Sequence, residues 1–161
     1  MAIANMKLDA VDRNLLNALQ ENGRLPVTDL AEKVGLTTSP CLRRLKILER
    51  EGIIRGYAAL VDQTKVGLPV SVFVSVKLEM QREEALERFE AAMRDCPEVM
   101  ECYLMTGSRD YLLRVVAQDL AAYERFLKET LTRIEGVASI ESGFALAQVK
   151  YSNVLPIANS G

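Results

Sequence analysis

The chain has 161 residues, 49% of them hydrophobic, enough apolar material for one ordinary packed domain or two small ones. It has no histidine, which excludes Ser-His and Cys-His catalytic pairs, and its three cysteines, Cys41, Cys96 and Cys102, form no metal-spaced pair and are odd in number, which suggests neither a zinc site nor a complete disulfide framework. The net charge is −2, but up to Lys65 the chain carries ten Lys and Arg against eight Asp and Glu (+2), and beyond it ten against fourteen (−4), a polarity that suits a nucleic-acid-facing front and an acidic rear.

Leu8, Val11, Leu15, Leu16 and Leu19 recur at helical spacing, with Asp9 placed to cap the helix, Asp12 three residues later, and Asn22-Gly23 ending the run. Pro26 opens a second helix with Leu30, Ala31 and Val34 facing inward. A helix ending at Val34 needs a following residue that tolerates positive φ, which Gly35 supplies; Thr37 is placed to cap the next helix, and Pro40 sits in its first turn. That third helix, about 38–51, puts Cys41, Leu42, Leu45 and Leu48 on one side and Arg43, Lys46 and Arg50 on the other, and Gly52 stops it.

Charged residues on a helix are usually its solvated side. Here the cations follow a tight interhelical corner, as docking in a DNA major groove requires. Thr38, Ser39, Cys41, Arg43 and Arg44 are the candidates for base edges, and Lys46 and Arg50 for phosphates. Burial is favoured over DNA contact for Cys41, because small sulfur side chains are mostly interior. Ile47 either leans on the following segment or meets a thymine methyl.

Residues 53–61 suit a strand and 62–67 a turn, which places the connection between two units at 53–69. Val70, Val72, Val74, Val76 and Leu78 alternate with more polar neighbours, the period of a strand with one face in a core. A helix from about Arg82 buries Ala85, Leu86, Phe89, Ala92 and Met93 and must stop before Pro97. Residues 99–105 and 111–117 read as a hairpin around Gly107. Asp119 can cap a last helix with Leu120, Tyr123, Leu127, Leu131 and Ile134 on one face, and Gly136 closes it before a strand over 137–150.

The predicted fold is therefore α+β. A three-helix, winged helix-turn-helix unit (1–52) is joined by a strand linker (53–69) to a ferredoxin-like β-α-β-β-α-β unit (70–152), with a patternless, mobile tail (153–161). No window approaches the length of a membrane span, and the N-terminal MAIANMKLDAVDR lacks the apolar core of a secretory signal, so a cytoplasmic protein without a membrane partner is expected. No phosphate loop, dinucleotide fingerprint or zinc-protease helix is present, so no enzymatic activity, metal site or cofactor is expected.

Leu8-Asp9, Asp12-Arg13, Leu15-Leu16, Asn22-Gly23-Arg24, Leu30-Ala31, Val34-Gly35-Leu36, Ser39-Pro40-Cys41, Arg43, Leu45 and Gly52-Ile53-Ile54 together resemble the Lrp/AsnC family of transcription regulators. The likeness continues through Tyr57, with Thr106-Gly107-Ser108-Arg109-Asp110-Tyr111 similar to that family's effector loop. The resemblance implies a regulator that binds operator DNA as homodimers, assembling to tetramers or octamers, with a free amino acid at an interface between dimers. It also implies that the 53–61 strand supports pairing of two chains.

From spacing alone, Gly107 and Asp110 are ordinary turn residues. The resemblance makes the loop an effector site, with Asp110 offering a carboxylate to an ammonium group and neighbouring amides receiving a carboxylate. Ser142 stands, with Ile140, where relatives often carry threonines, and completes the candidate set of Gly107, Ser108, Arg109, Asp110 and Tyr111. Arg109 could grip an effector carboxylate, pair with a nearby acid or face water, the last being the first choice. The alternative function is an amino-acid-sensing module acting through a protein partner, which would leave the cations from Arg43 to Arg55 unexplained. A further alternative, tetrapyrrole decarboxylation as in some relatives, is expected to need histidine.

Overall fold

The first helix, α1 (Ala10–Glu21), starts on the reciprocal cap that Asp9 and Asp12 allow: Asp9 accepts the Asp12 N–H at 2.8 Å, and Asp12 accepts the Asp9 N–H at 3.1 Å. Helix α2 (Val27–Lys33) follows Pro26 without a side-chain cap. At its end Gly35 adopts φ +71°, with the Gly35 N–H on Glu32 O at 3.2 Å and the Leu36 N–H on Ala31 O at 2.9 Å. Helix α3 (Thr38–Arg50) closes the same way at Gly52 (φ +70°), with bonds from Gly52 to Glu49 and from Ile53 to Leu48, both at 3.0 Å. Each is a Schellman closure, and a side chain at either glycine would strain it. The expected Thr37 cap is absent; its hydroxyl makes no capping bond, and only its carbonyl takes part, accepting the Cys41 N–H at 3.2 Å.

The computed structural model describes residues 7–158, and the chain divides into two compact units: residues up to Leu60 together with the stretch from Lys150 onward, and Val61–Val149. The first has a core of Leu15, Leu16, Leu30, Ala31, Cys41 and Leu48, closed by Ile54 and Ile157. Ile157 corrects the expectation of a free tail. Residues 155–158 lie along α1, where Gln20 holds Leu155 from both sides (Nε2 to the carbonyl at 3.2 Å, Oε1 from the N–H at 2.6 Å). Asn17 donates to Ile157 O at 3.5 Å and Arg13 to Ala158 O at 3.2 Å. Main-chain bonds of this kind need no side-chain pattern in the tail, so composition hid them. Asn159, Ser160 and Gly161 lie outside the described residues, as do residues 1–6.

The predicted strand over 53–61 is not formed: Ile53 and Ile54 lie in a bend, with Ile54 half-buried against the first core, and the exposed residues after them have no neighbouring strand among the described residues. Leu42 is also 37% exposed rather than packed with Cys41 and Leu45.

The second unit has strands β1 (Val70–Leu78), β2 (Val99–Leu104), β3 (Tyr111–Ala117) and β4 (Val137–Phe144), with helices α4 (Glu83–Arg94) and α5 (Leu120–Glu129). The sheet is antiparallel in the order β2-β3-β1-β4, the ferredoxin-like arrangement. The alternation of β1 sends Val72, Val74, Val76 and Leu78 into a core with Phe89, Met93, Tyr123, Phe126 and Leu131. Asp119 caps α5 through the Ala122 N–H at 2.7 Å. The predicted single helix to Gly136 breaks at Thr130 into a short 3-10 turn, Leu131–Arg133, that still delivers Leu131 and Ile134 to the core. Leu120, in the first turn of α5, is 64% exposed, against expectation, and β4 ends at Phe144 rather than 150: the Ala145 N–H still bonds Ser71 O at 3.0 Å, but nothing after it pairs with a strand among the described residues.

Candidate functional site

The outward side of α3 presents Thr38, Ser39, Arg43, Lys46 and Arg50, all exposed. Arg43 and Lys46 have no acidic partner among the described residues. Arg50 reaches only its neighbour Glu51, at 2.9 Å, and stays 72% exposed, so water screens that pair and the cation is available. The helix thus offers two hydroxyls in its first turn and three cations further along, a set that can serve base edges and phosphates.

Two candidates leave this surface. Cys41 is fully buried in the α1–α2–α3 core, where loss of hydration pushes its thiol pKa up. Arg44 turns back to α1, bonding Asp9 at 2.7 Å and Asp12 at 2.8 Å, and its guanidinium is held charged chiefly by Asp12 and then by Asp9. Asp9 in turn is kept below the usual carboxylate range, first by the Asp12 N–H and then by Arg44. Arg44 is thus a clasp between the start of α1 and the recognition candidate. On the far end of α3, Tyr57 donates to Glu49 at 2.9 Å; partial burial, reinforced by the Glu49 carboxylate, raises its pKa to about 12. Ile47 is half-buried.

The β2–β3 loop is pinned at its base by Met105 N–H to Asp110 O (2.8 Å) and Asp110 N–H to Val76 O (2.9 Å). Gly107, at φ +111°, and Ser108 are exposed, and the N–H groups of residues 106–109 have no partner among the described residues. These four adjacent donors are left to solvent or a ligand. Asp110 is 3% exposed; its Oδ2 accepts the Leu78 N–H at 2.7 Å and its Oδ1 the Gln81 amide at 2.5 Å.

The remaining loop candidates point elsewhere. Tyr111 is buried with its ring 4.5 Å from that of Phe89 and its hydroxyl on Glu90 at 3.0 Å; burial foremost raises its pKa. Arg109, expected to face water, spans to β4 and bonds Ser139 and Glu141, each at 2.7 Å. Ser142 pairs with the Tyr123 hydroxyl at 2.5 Å under α5, so the structure does not bring it to the Gly107 loop. Gln81, Glu141 and Tyr123 carry no motif. The pairing of β1 with β3 and β4 places Gln81 and Glu141 near the candidates, the packing of α5 brings Tyr123 to Ser142, and no spacing signals either.

Among the described residues no cluster of His, Cys, Asp and Glu could hold a metal, and no helix is long and apolar enough to cross a membrane.

Residues 71–155 match the family model described as the Lrp/AsnC ligand binding domain, and residues 8–55 match one described as winged helix-turn-helix DNA-binding. The Bkd operon transcriptional regulator of Pseudomonas aeruginosa is 50% identical over 94% of this chain and 99% of its own. The leucine-responsive regulatory protein of Salmonella typhimurium is 41% identical over 93% of this chain and 92% of its own. Among solved structures, a transcriptional regulator of Neisseria meningitidis in complex with L-Met superposes with a TM-score of 0.88 at 43% identity, covering 93% of this chain and 97% of that one.

Proposed function

The chain belongs to the Lrp/AsnC family of transcriptional regulators, with a helix-turn-helix DNA-binding region and an amino-acid-binding domain, and from that membership we propose how its own residues divide the work. The observation that carries the proposal is the sorting of cations on α3: Arg44 is spent on Asp9 and Asp12, while Arg43 and Lys46 stand exposed without acids. Arg43, near the start of the helix, reads a base edge, since its guanidinium matches the paired acceptors of guanine; Thr38 and Ser39 add shorter contacts. Lys46 and Arg50 neutralise phosphates.

One recognition helix per chain gives little discrimination, so the working unit is a symmetric dimer reading two half-sites, able to assemble further. A free amino acid binds at the 106–110 loop, its carboxylate on the loop amides and its ammonium toward Asp110. If it favours one assembly over another, it shifts operator affinity by that difference. The L-Met complex of the Neisseria meningitidis relative supports an amino acid as the ligand class.

Binding to a duplex selected from a random pool by the wild-type protein tests the DNA half. Arg43→Ala is expected to lose discrimination against non-specific DNA, by about 1–3 kcal/mol per half-site, while Lys46→Ala weakens all duplexes alike and lowers the salt slope by about one. Undiminished discrimination in Arg43→Ala would overturn the assignment.

A further inference from the structure

Asp110 is held in two unequal ways. Its Oδ2 is fixed by the main chain of β1 through Leu78, whereas its Oδ1 is covered by the amide of Gln81, an exposed residue in the turn between β1 and α4. We propose that Gln81 is an exchangeable cap, occupying the seat of the effector's ammonium group and swinging into water when a free amino acid binds. The inference rests on the reading of the 106–110 loop as the effector site.

A carboxylate this buried cannot be left with one oxygen unpartnered without a large desolvation cost, so the ligand-free protein needs a donor there. Leu78 cannot leave, because its N–H belongs to the strand. Gln81 can: its side chain is held to Asp110 by one bond from a neutral amide and has solvent on its other side. An ammonium brings a full positive charge to the same oxygen where the amide brings only a dipole, so exchange runs toward the ligand. The cap also imposes a toll on binding, because only the fraction of molecules with Gln81 displaced is competent. It sets selectivity too: a ligand without a free ammonium has nothing to offer Asp110 in exchange.

Calorimetric titration of the full chain tests this, after a thermal-shift panel of the twenty free L-amino acids has identified the strongest binder. Gln81→Ala is expected to bind that amino acid about threefold to tenfold more tightly, since the competitor is gone. Gln81→Lys, which supplies its own ammonium to Asp110, is expected to bind it more than about tenfold less tightly. The N-acetyl derivative of the same amino acid is expected to bind none of the three proteins. Unchanged or weaker binding by Gln81→Ala, or normal binding by Gln81→Lys, overturns the cap while leaving the loop as the site. A wild-type chain that binds no member of the panel overturns the reading of the loop and the cap with it. A merely structural Gln81 would instead lower the melting temperature of Gln81→Ala and leave its affinity untouched.

Discussion

The two units of this chain are held together by different means. Val61–Val149 rests on one apolar layer, the inward face of the sheet against α4 and α5, in which Val72, Val74, Leu113, Val115, Phe89 and Leu131 are wholly buried. The DNA-binding unit has a smaller core and closes it with polar fastenings: Arg44 on Asp9 and Asp12, the Asp9–Asp12 cap, and the tail bonded to Gln20, Asn17 and Arg13. A small unit buries too little apolar area to be robust on that alone, so directional bonds at its margins carry a larger share of its stability.

The largest effect expected from this difference is in the sheet unit. Phe89→Ala removes a fully buried ring packed at a tilt against that of Tyr111, and a cost of about 3–5 kcal/mol is expected. The loss should be global to that unit and blind to salt and pH, because no charge is disturbed. Denaturant melts at two ionic strengths check it; a loss below about 1 kcal/mol would mean that the layer repacks and that this unit does not depend on its apolar core more than the other does.

The next effect belongs to the other unit and has a different character. Arg44→Met keeps the length and apolar stem of the side chain but leaves Asp12, whose side chain is only 5% exposed, without its cation. A cost of about 2 kcal/mol is expected, less than for a wholly buried pair because Arg44 itself is 30% exposed. Asp9 adds a pH signature. Its carboxyl is held below the usual range in the folded state, so the stability it contributes is complete above about pH 4 and is lost as pH falls through the depressed value. In Arg44→Met that dependence should shrink but persist, since the Asp12 N–H is its first cause. Amide exchange in α1 against β1 reads the result: faster exchange confined to α1 and α3 supports a local clasp, and equal acceleration in β1 refutes it.

Those two substitutions also mark what the sequence could disclose. The alternation of β1, the caps at Asp9 and Asp119 and the helix stops at Gly35 and Gly52 are local signals, each settled by residues within a few positions of one another, and the order of elements follows from them. Arg44 lies on the same helix as Arg43, and helical spacing alone made both candidates for DNA; only the packing of α3 on α1 separates them. Leu42 and Leu120 have apolar side chains at core spacing but lie where no neighbouring element covers them. The 53–61 segment has strand propensity without a strand beside it among the described residues, and propensity cannot supply a hydrogen-bond partner. In the candidate effector site the Gly107 loop was legible by resemblance. The partners that define its chemistry, Gln81 on Asp110 and Glu141 on Arg109, come from segments 29 and 32 residues away and could not be read from it.

The smallest effect concerns the tail. Ending the chain at Val154 removes the two main-chain bonds to Gln20, those to Asn17 and Arg13, and the half-buried Ile157 that completes the DNA-binding core. Three of these bonds are solvent-facing, the one from Asn17 and the isoleucine are only partly covered, and a cost of about 1–2 kcal/mol is expected, all of it in the DNA-binding unit. Gln20→Ala, which breaks both bonds to Leu155 and leaves the chain intact, should reproduce a part of it. Amide exchange at the α1 residues facing the tail is expected to quicken in both variants while β1 stays protected. If the shortened chain exchanges as the full one does, the tail is a passenger, and the DNA-binding unit must be held by its small core and the Arg44 clasp alone. If it quickens, the unit is closed by a strap that follows β4 in the chain.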